Sequence, residues 1–306
     1  MKALVVGATG YLGSAIARNL NSHAVESHGL ARSVENKAAL TAAGIMPVEC
    51  DLADAKQHPA LAEQFEIVVL AAAMPFELDY QVVSGLVDSF RGSGRHLIYA
   101  SGTGVLGIES KDGRWDENTF AEDDPFPFPA LITRELRLKT EGYVRAAAND
   151  GLHTTVIRPP LLFGRGGSSH VPMIFKSIRK TGCACYVGRG LNLYSNVHVE
   201  DAAEVFRLAI QKGTPGALYH SVAGEANFRS IAEAAAEVAG CQTKSVSFDE
   251  ACEIWHPAAV AAGLAVNSRS RCPRTRRELD WEPQHLDLID DIRHGSYRDA
   301  YLATTR

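Results

Sequence analysis

The feature that most constrains this chain is Gly7-Ala8-Thr9-Gly10-Tyr11-Leu12-Gly13, which follows a buried-strand pattern at Lys2–Val6 and opens an amphipathic stretch at Tyr11–Leu20. Glycine lets the chain turn sharply at the end of a strand and lets a ligand approach with no Cβ in the way. The amides at the start of the following helix have no intrahelical acceptor, so an anion, and a pyrophosphate in particular, is favoured there. Metal-free anion binding at a strand–helix turn is thus the first expectation.

The pattern continues with strands at Val25–Ala31, Met46–Cys50, Ile67–Ala72, His96–Ala100 and Thr154–Arg158, and helices at Ala38–Ala43, Val82–Arg91 and Leu131–Asn149. Continuous apolar strands alternating with helices predict a doubly wound α/β fold, a parallel sheet covered on both faces. After Pro159 the loops lengthen and glycines gather at 164, 166, 167, 188 and 190. Val197–Ala209 reads as a strand end and helix that return to the main domain. Ile231–Ala239 and Leu286–Tyr297 read as helices of a smaller, discontinuous lobe. The expected division is a Rossmann domain at 1–160 plus about 195–222, and a substrate lobe at 161–194 and 223–306.

A formal charge of −5 gives no general attraction for nucleic acid or anionic membrane. The Arg269, Arg271, Arg274, Arg276 and Arg277 cluster reads as a solvated helix start among acidic neighbours, and Asp116, Glu117, Glu122, Asp123 and Asp124 as a solvated acidic loop before the long helix. No apolar leader opens the chain and no apolar run reaches the ~20 residues of a membrane span. A cytoplasmic protein is expected, monomeric or homodimeric, acting on a small molecule. The six cysteines show no zinc-site spacing, so no metal is expected. Arg32 and Ser33, at the end of the second strand, stand where an acidic residue would hold the ribose 2′-hydroxyl of NAD. Arg suits a 2′-phosphate, so NADP(H) is expected over NAD(H).

The G-x-x-G-x-x-G spacing, with Thr9 inside it, resembles the short-chain dehydrogenase/reductase superfamily. So do Tyr99 to Gly107, Arg158-Pro159-Pro160-Leu161-Leu162-Phe163-Gly164, Val197-His198-Val199-Glu200-Asp201-Ala202 and Arg277-Glu278-Leu279-Asp280-Trp281-Glu282-Pro283, which resemble the extended, NAD-dependent epimerase/dehydratase-like branch. The resemblance implies that Gly7, Thr9, Gly10, Tyr11, Leu12 and Gly13 hold the pyrophosphate. It places Asp51 and Leu52 at the adenine, Ala71, Ala72 and Ala73 beside the adenosine ribose, and Pro159 and Leu162 at the carboxamide.

The resemblance breaks at the catalytic pair. Aligned on Glu141, the superfamily's Tyr falls on Thr133 and its Lys on Arg137, and the Ser position falls on Gly102 between Ser101 and Thr103. A Thr hydroxyl is too weak an acid to replace Tyr; Arg137 can bond ribose hydroxyls but stays charged. The chain therefore resembles an atypical member lacking Tyr-x-x-x-Lys. Candidate catalytic groups are Ser101, Thr103, Arg137 and Tyr194, with His198, His170 and Tyr186 as further proton carriers. Met74, Phe76, Thr133, Phe163, His170, Met173, Tyr186 and Tyr194 are the expected substrate contacts, and their aromatic character suggests an apolar or aromatic substrate. Arg165, Arg179 and Arg189 leave a phosphate-bearing substrate open. The expected activity is an NADP(H)-dependent reductase or dehydrogenase acting on a carbonyl, imine or conjugated alkene. The alternatives are a nicotinamide-dependent epimerase or isomerase and a non-catalytic NADP-binding regulator.

Overall fold

A computed structural model describes residues 1–31, 33–129 and 134–305. Its strands in chain order are β1 (Lys2–Val6), β2 (Glu26–Leu30), β3 (Met46–Val48), β4 (Ile67–Leu70), β5 (His96–Ala100), β6 (Ile108–Glu109), β7 (His153–Arg158), β8 (Leu161–Phe163), β9 (Cys183–Val187), β10 (Leu193–His198), β11 (Ala217–His220), β12 (Gly224–Asn227), β13 (Gln242–Val246) and β14 (Val266–Asn267). Its helices are α1 (Tyr11–Ser22), α2 (Val34–Ala42), α3 (His58–Gln64), α4 (Phe76–Phe90), α5 (Arg134–Ala146), α6 (His170–Thr181), α7 (Val199–Lys212), α8 (Phe228–Ala239), α9 (Phe248–Ile254), α10 (Pro257–Ala259), α11 (Pro273–Leu279), α12 (Leu288–His294) and α13 (Ser296–Thr305).

The main sheet has the order β11-β7-β5-β4-β1-β2-β3 and every pairing in it is parallel. Side chains along a strand alternate between faces, and two cores follow. Ala3, Val5, Ile67, Val69, Ile98 and Ile157 pack under α1 and α7. Leu4, Val6, Val68, Leu70, Leu97 and Val156 pack under α3, α4 and α5. Both faces are apolar because the right-handed crossovers place helices on each. The chain runs outward from β1 to β3 and then resumes on the other side with β4, so the strand order reverses between β1 and β4. A crevice opens at the carboxyl ends of strands at such a point.

A third core joins β8, β9 and β10 with α6, α8, α12 and α13. Here β10 pairs in parallel with β8 and antiparallel with β12, and β13 pairs in parallel with β9. Helix α7 lies along α1, returning the chain to the main sheet. The single helix expected over Leu286–Tyr297 is two: Gly295 separates α12 from α13, and a Cβ there would lie 2.3 Å from Asp291 Oδ1. Helix α4 starts at Phe76, six residues earlier than the apolar pattern indicated.

Two surface expectations resolve differently. Four arginines of the cluster pair with acidic side chains: Arg269 with Glu225 of β12, Arg271 with Asp124 and Arg274 with Asp123 of the acidic loop, and Arg277 with Glu278 of its own helix, while Arg276 lies over the Trp281 ring. Glu122, expected in solvent, is buried, because its carboxylate accepts from the Thr275 amide and hydroxyl at 3.0 and 3.1 Å and caps the start of α11. No helix among the described residues is long and apolar enough to cross a membrane. The six cysteines are free thiols.

Candidate functional site

The turn from β1 to α1 is built so tightly that only glycine fits two of its positions. Gly7 has φ +89°, and a Cβ there would lie 2.8 Å from the Ala72 amide nitrogen. A Cβ on Gly13 would lie 2.2 Å from the Gly7 carbonyl oxygen. The Gly10 amide donates to that same carbonyl at 2.8 Å, and the first bond of α1 is Ser14 N–H to the Gly10 carbonyl at 3.0 Å. The amides of Tyr11, Leu12 and Gly13 thus precede the helical ladder. The first turn of α1 carries no acidic side chain to compete for them. This corner can take an anion.

Beside it lies a cavity of about 260 Å³ lined by Gly7, Thr9, Asp51, Leu52, Ala72 and Ala73 among others. The Ala71 amide bonds the Val6 carbonyl at 2.9 Å, bringing the ends of β4 and β1 together. Asp51 accepts from the Ala53 amide and shapes the turn after β3. Ser33 caps α2 by accepting from the Asn36 amide at 3.2 Å, and Asn36 lines the same cavity. Arg32 lies outside the described residues. A glycine cradle, open amides and an adjoining cavity at the switch point fit a dinucleotide. Met74, expected at the substrate, lines this cavity, four residues past the end of β4 and next to Ala72 and Ala73 in its wall. The Tyr11 side chain is directed elsewhere: its hydroxyl donates to the Gly164 carbonyl at 2.6 Å and its ring lies against Gly167, leaving only its amide for an anion. Leu12 packs on the main core.

At the ends of β5 and β7 the polar groups are tied together. Ser101 Oγ donates to Glu141 Oε1 at 2.5 Å, and Arg158 donates to the same carboxylate from Nε at 2.9 Å and from an amino group at 2.5 Å. The His220 ring approaches the Arg158 guanidinium at 3.5 Å. Burial, and then Arg158, push the His220 pKa down to about 3. Thr103 is fully buried, its amide on the Pro159 carbonyl at 3.0 Å and its own carbonyl receiving Ser268 Oγ at 2.9 Å. In that interior it lies beside the Tyr194 phenol. Leu162 sits in β8, paired with Val197, and packs on the main core. Thr133 lies outside the described residues.

Arg137 reaches back from the first turns of α5. An amino group donates to Tyr99 Oη at 2.6 Å, and the Tyr99 hydroxyl donates to Asp79 Oδ2 at 2.5 Å. The guanidinium also lies over the Phe76 ring, 4.7 Å from its centroid. Phe76, expected on the substrate wall, is therefore a platform for Arg137. Sequence reasoning missed Asp79 and Tyr99. The signal was present: Asp79 falls on the buried stripe of α4 with Val82, Val83, Leu86, Val87 and Phe90, where a carboxylate needs a partner.

Tyr194 on β10 is nearly buried, and its phenol lies with the hydroxyls of Ser268 and Thr103; burial raises its pKa. His170, at the start of α6, sits 5.0 Å from the Tyr194 ring and 6.0 Å from Phe228, and burial lowers its pKa to about 4. These two are brought together. Phe163 is not with them: it is 1 % exposed and packs edge-on to His198 in the lobe core. Met173 packs into that core as well, with its carbonyl on Trp255 Nε1 at 2.9 Å, and the Tyr186 ring covers Gly190. His198 caps α7 and stacks on His285 at 4.2 Å, and burial, helped by His285, lowers its pKa. Arg165 pairs with Glu200, and Arg179 donates to Thr304 Oγ1 at 2.6 Å.

Comparison with known proteins agrees with this geometry. An uncharacterized protein of Schizosaccharomyces pombe is 32% identical over 311 residues, covering 97% of this chain and 100% of its own length. A 2-alkyl-3-oxoalkanoate reductase of Stenotrophomonas maltophilia is 29% identical over 248 residues, 76% of this chain and 71% of that protein. The crystal structure of dTDP-glucose 4,6-dehydratase from Bacillus anthracis, in complex with NAD, superposes with a TM-score of 0.78 at 15% identity, covering 100% of this chain and 97% of that one. Residues 3–222 match the NAD dependent epimerase/dehydratase family, and with the all-parallel sheet and the glycine-built turn at its switch point this chain belongs to that family.

Proposed function

We propose that this protein is an NADP(H)-dependent reductase or dehydrogenase acting on a carbonyl, imine or conjugated alkene of a small apolar or aromatic molecule. The observation that carries the reading is the corner at Gly7, Gly10 and Gly13, with the amides of Tyr11, Leu12 and Gly13 open beside the cavity at Asp51 and Ala72. In this reading those amides hold the diphosphate, Thr9 flanks it, and Asp51, Leu52, Ala71, Ala72 and Ala73 enclose the adenosine. Arg32 and Ser33 hold the 2′-phosphate, Arg137 the nicotinamide ribose, and Pro159 and Leu162 flank the carboxamide. The substrate meets the cofactor from the lobe formed by 161–194 and 223–306, against His170 and Tyr194. The reductase activity named for the Stenotrophomonas relative supports the reaction class.

A bound nicotinamide would supply or accept a hydride; the chain's own residues position the partners and handle the proton. Two hydroxyls at this end are spent on carboxylates, Ser101 on Glu141 and Tyr99 on Asp79. Tyr194 keeps its proton through the neutral range, since burial raises its pKa, and it is the side chain we assign to proton transfer, with solvent as the ultimate source. Electrophiles that need little acid help, an iminium or an enone, suit such a site better than a plain ketone.

The test is to titrate the purified protein with NADPH by fluorescence and then screen ketones, enones and imines for loss of the reduced-nicotinamide absorbance. NADPH binding with turnover on one class is expected. NADPH binding with no turnover on any class would replace the reading with a regulator that senses the cofactor. Absence of binding would end both.

A further inference from the structure

Arg137 occupies the position of the superfamily's Lys, and a long guanidinium side chain has many rotamers; Asp79, Tyr99 and Phe76 are juxtaposed around it. Asp79 on α4 is 2 % exposed and Tyr99 on β5 is 1 % exposed. The phenol has one proton and gives it to Asp79 Oδ2 at 2.5 Å, which leaves its lone pair to receive the Arg137 amino group at 2.6 Å. The Asp79 carboxylate lies 3.8 Å from the same guanidinium and supplies its counter-charge. Phe76 limits the remaining freedom, its ring centroid 4.7 Å from the guanidinium carbon. Nε and the second amino group of Arg137 then have no protein acceptor among the described residues.

We infer that Tyr99 and Asp79 are positioning residues that hold Arg137 in one rotamer, with its unused N–H groups presented to the ribose hydroxyls of the nicotinamide half of the cofactor. The inference rests on the proposed cofactor reading. Because the anion, the phenol and the stacked ring fix the arginine before ligand arrives, part of the ordering cost of binding is met in the free protein. The chain order of the three donors and acceptors matters: with the phenol removed, Asp79 keeps only a long contact to Arg137, and the arginine loses its nearest acceptor.

The experiment is a double-mutant cycle read as the NADPH dissociation constant, using wild type, Tyr99→Phe, Arg137→Ala and the double variant, with the melting temperature of each as a control. Tyr99→Phe is expected to weaken NADPH about tenfold, the range of one hydrogen bond to a charged group. The double variant is expected to bind no more weakly than Arg137→Ala alone, since the phenol acts only through the arginine. Asp79→Asn, which retains an acceptor for the phenol but no counter-charge, carries the same test if Tyr99→Phe does not fold; it is expected to lose several-fold, and to lose nothing further in the Arg137→Ala background. Multiplicative losses, as a purely structural role for Tyr99 would give, overturn the inference. So does an unchanged dissociation constant in folded Tyr99→Phe. Failure of the wild type to bind NADPH or NADH refutes the underlying reading instead, and the two results are distinguishable.

Discussion

Three alanine substitutions in one turn should differ in cost in an order set by geometry. Gly10→Ala is the mildest: its φ is −85° and its Cβ would meet its nearest atom, the Gly7 carbonyl oxygen, at 3.1 Å. At a helix N-cap the change costs about 1 kcal/mol or less. Gly7→Ala adds a left-handed backbone, about 1–2 kcal/mol, to an overlap with the Ala71 and Ala72 backbone at 2.8–2.9 Å. Overpacking of that kind costs about 1–3 kcal/mol, so the sum is about 2–5 kcal/mol. Gly13→Ala has no backbone penalty, but its methyl would sit 2.2 Å from the Gly7 oxygen and 2.6 Å from its carbon. Both are backbone atoms, so α1 must shift off the turn. The assay is a melting curve and an NADPH titration for each variant. Gly7→Ala and Gly13→Ala should lower the melting temperature by about 5–10 °C and weaken NADPH by at least tenfold, while Gly10→Ala retains most of both. Wild-type melting and affinity in Gly7→Ala or Gly13→Ala would refute the reasoning, because the turn would then have room that the geometry denies it.

Further outcomes follow from the site and its supports. Arg32→Asp should move preference from NADPH toward NADH, read as the ratio of the two dissociation constants; an unchanged ratio removes the 2′-phosphate assignment. Glu141→Ala leaves the buried Arg158 without its bidentate partner and should cost about 3–5 kcal/mol by denaturant unfolding; a loss below 1 kcal/mol would mean that the pair is solvated. Acid should destabilise the fold before the carboxylates titrate. His96 and His220 are held neutral, each with its pKa lowered to about 3 by burial, whereas in the unfolded chain they titrate near 6.5. The unfolded state therefore takes up protons first. The stability is intact above pH ~6.5 and falls between there and pH ~3, by up to about 1.4 kcal/mol per pH unit for each histidine. A melting temperature that stays flat from pH 7.5 to 5 would contradict this.

Six of the seven main-sheet strands were legible because most are short apolar runs with glycine and helix signals between them, and β1 with Gly7–Gly13 marks the switch point; β11 (Ala217–His220) went unread, four residues with no flanking pattern of their own. The lobe was less so. Strands β12 and β13 are polar or half-exposed, and such segments carry no period-2 signal. The break at Gly295 lies within an otherwise helical pattern, where one glycine is a weak stop. At the site, residue identity was read more readily than partnership. Arg137 was found by register from Glu141, yet Asp79 and Tyr99 lie 58 and 38 residues before it in the chain, and only the fold brings them together. Phe163 shows the converse: an aromatic beside a glycine loop looked like a ligand wall, but β8 turns it into the lobe core. Glu122 was hidden in a run of five acidic residues, four of which are on the surface or half-exposed.

The most direct test is a crystal structure of the protein grown with saturating NADPH. The account predicts the diphosphate oxygens within hydrogen-bond reach of the Leu12 and Gly13 amides, with the adenosine in the cavity at Asp51 and Ala72. Nicotinamide dinucleotide bound at any other surface, with the Gly7–Gly13 corner vacant, would contradict it.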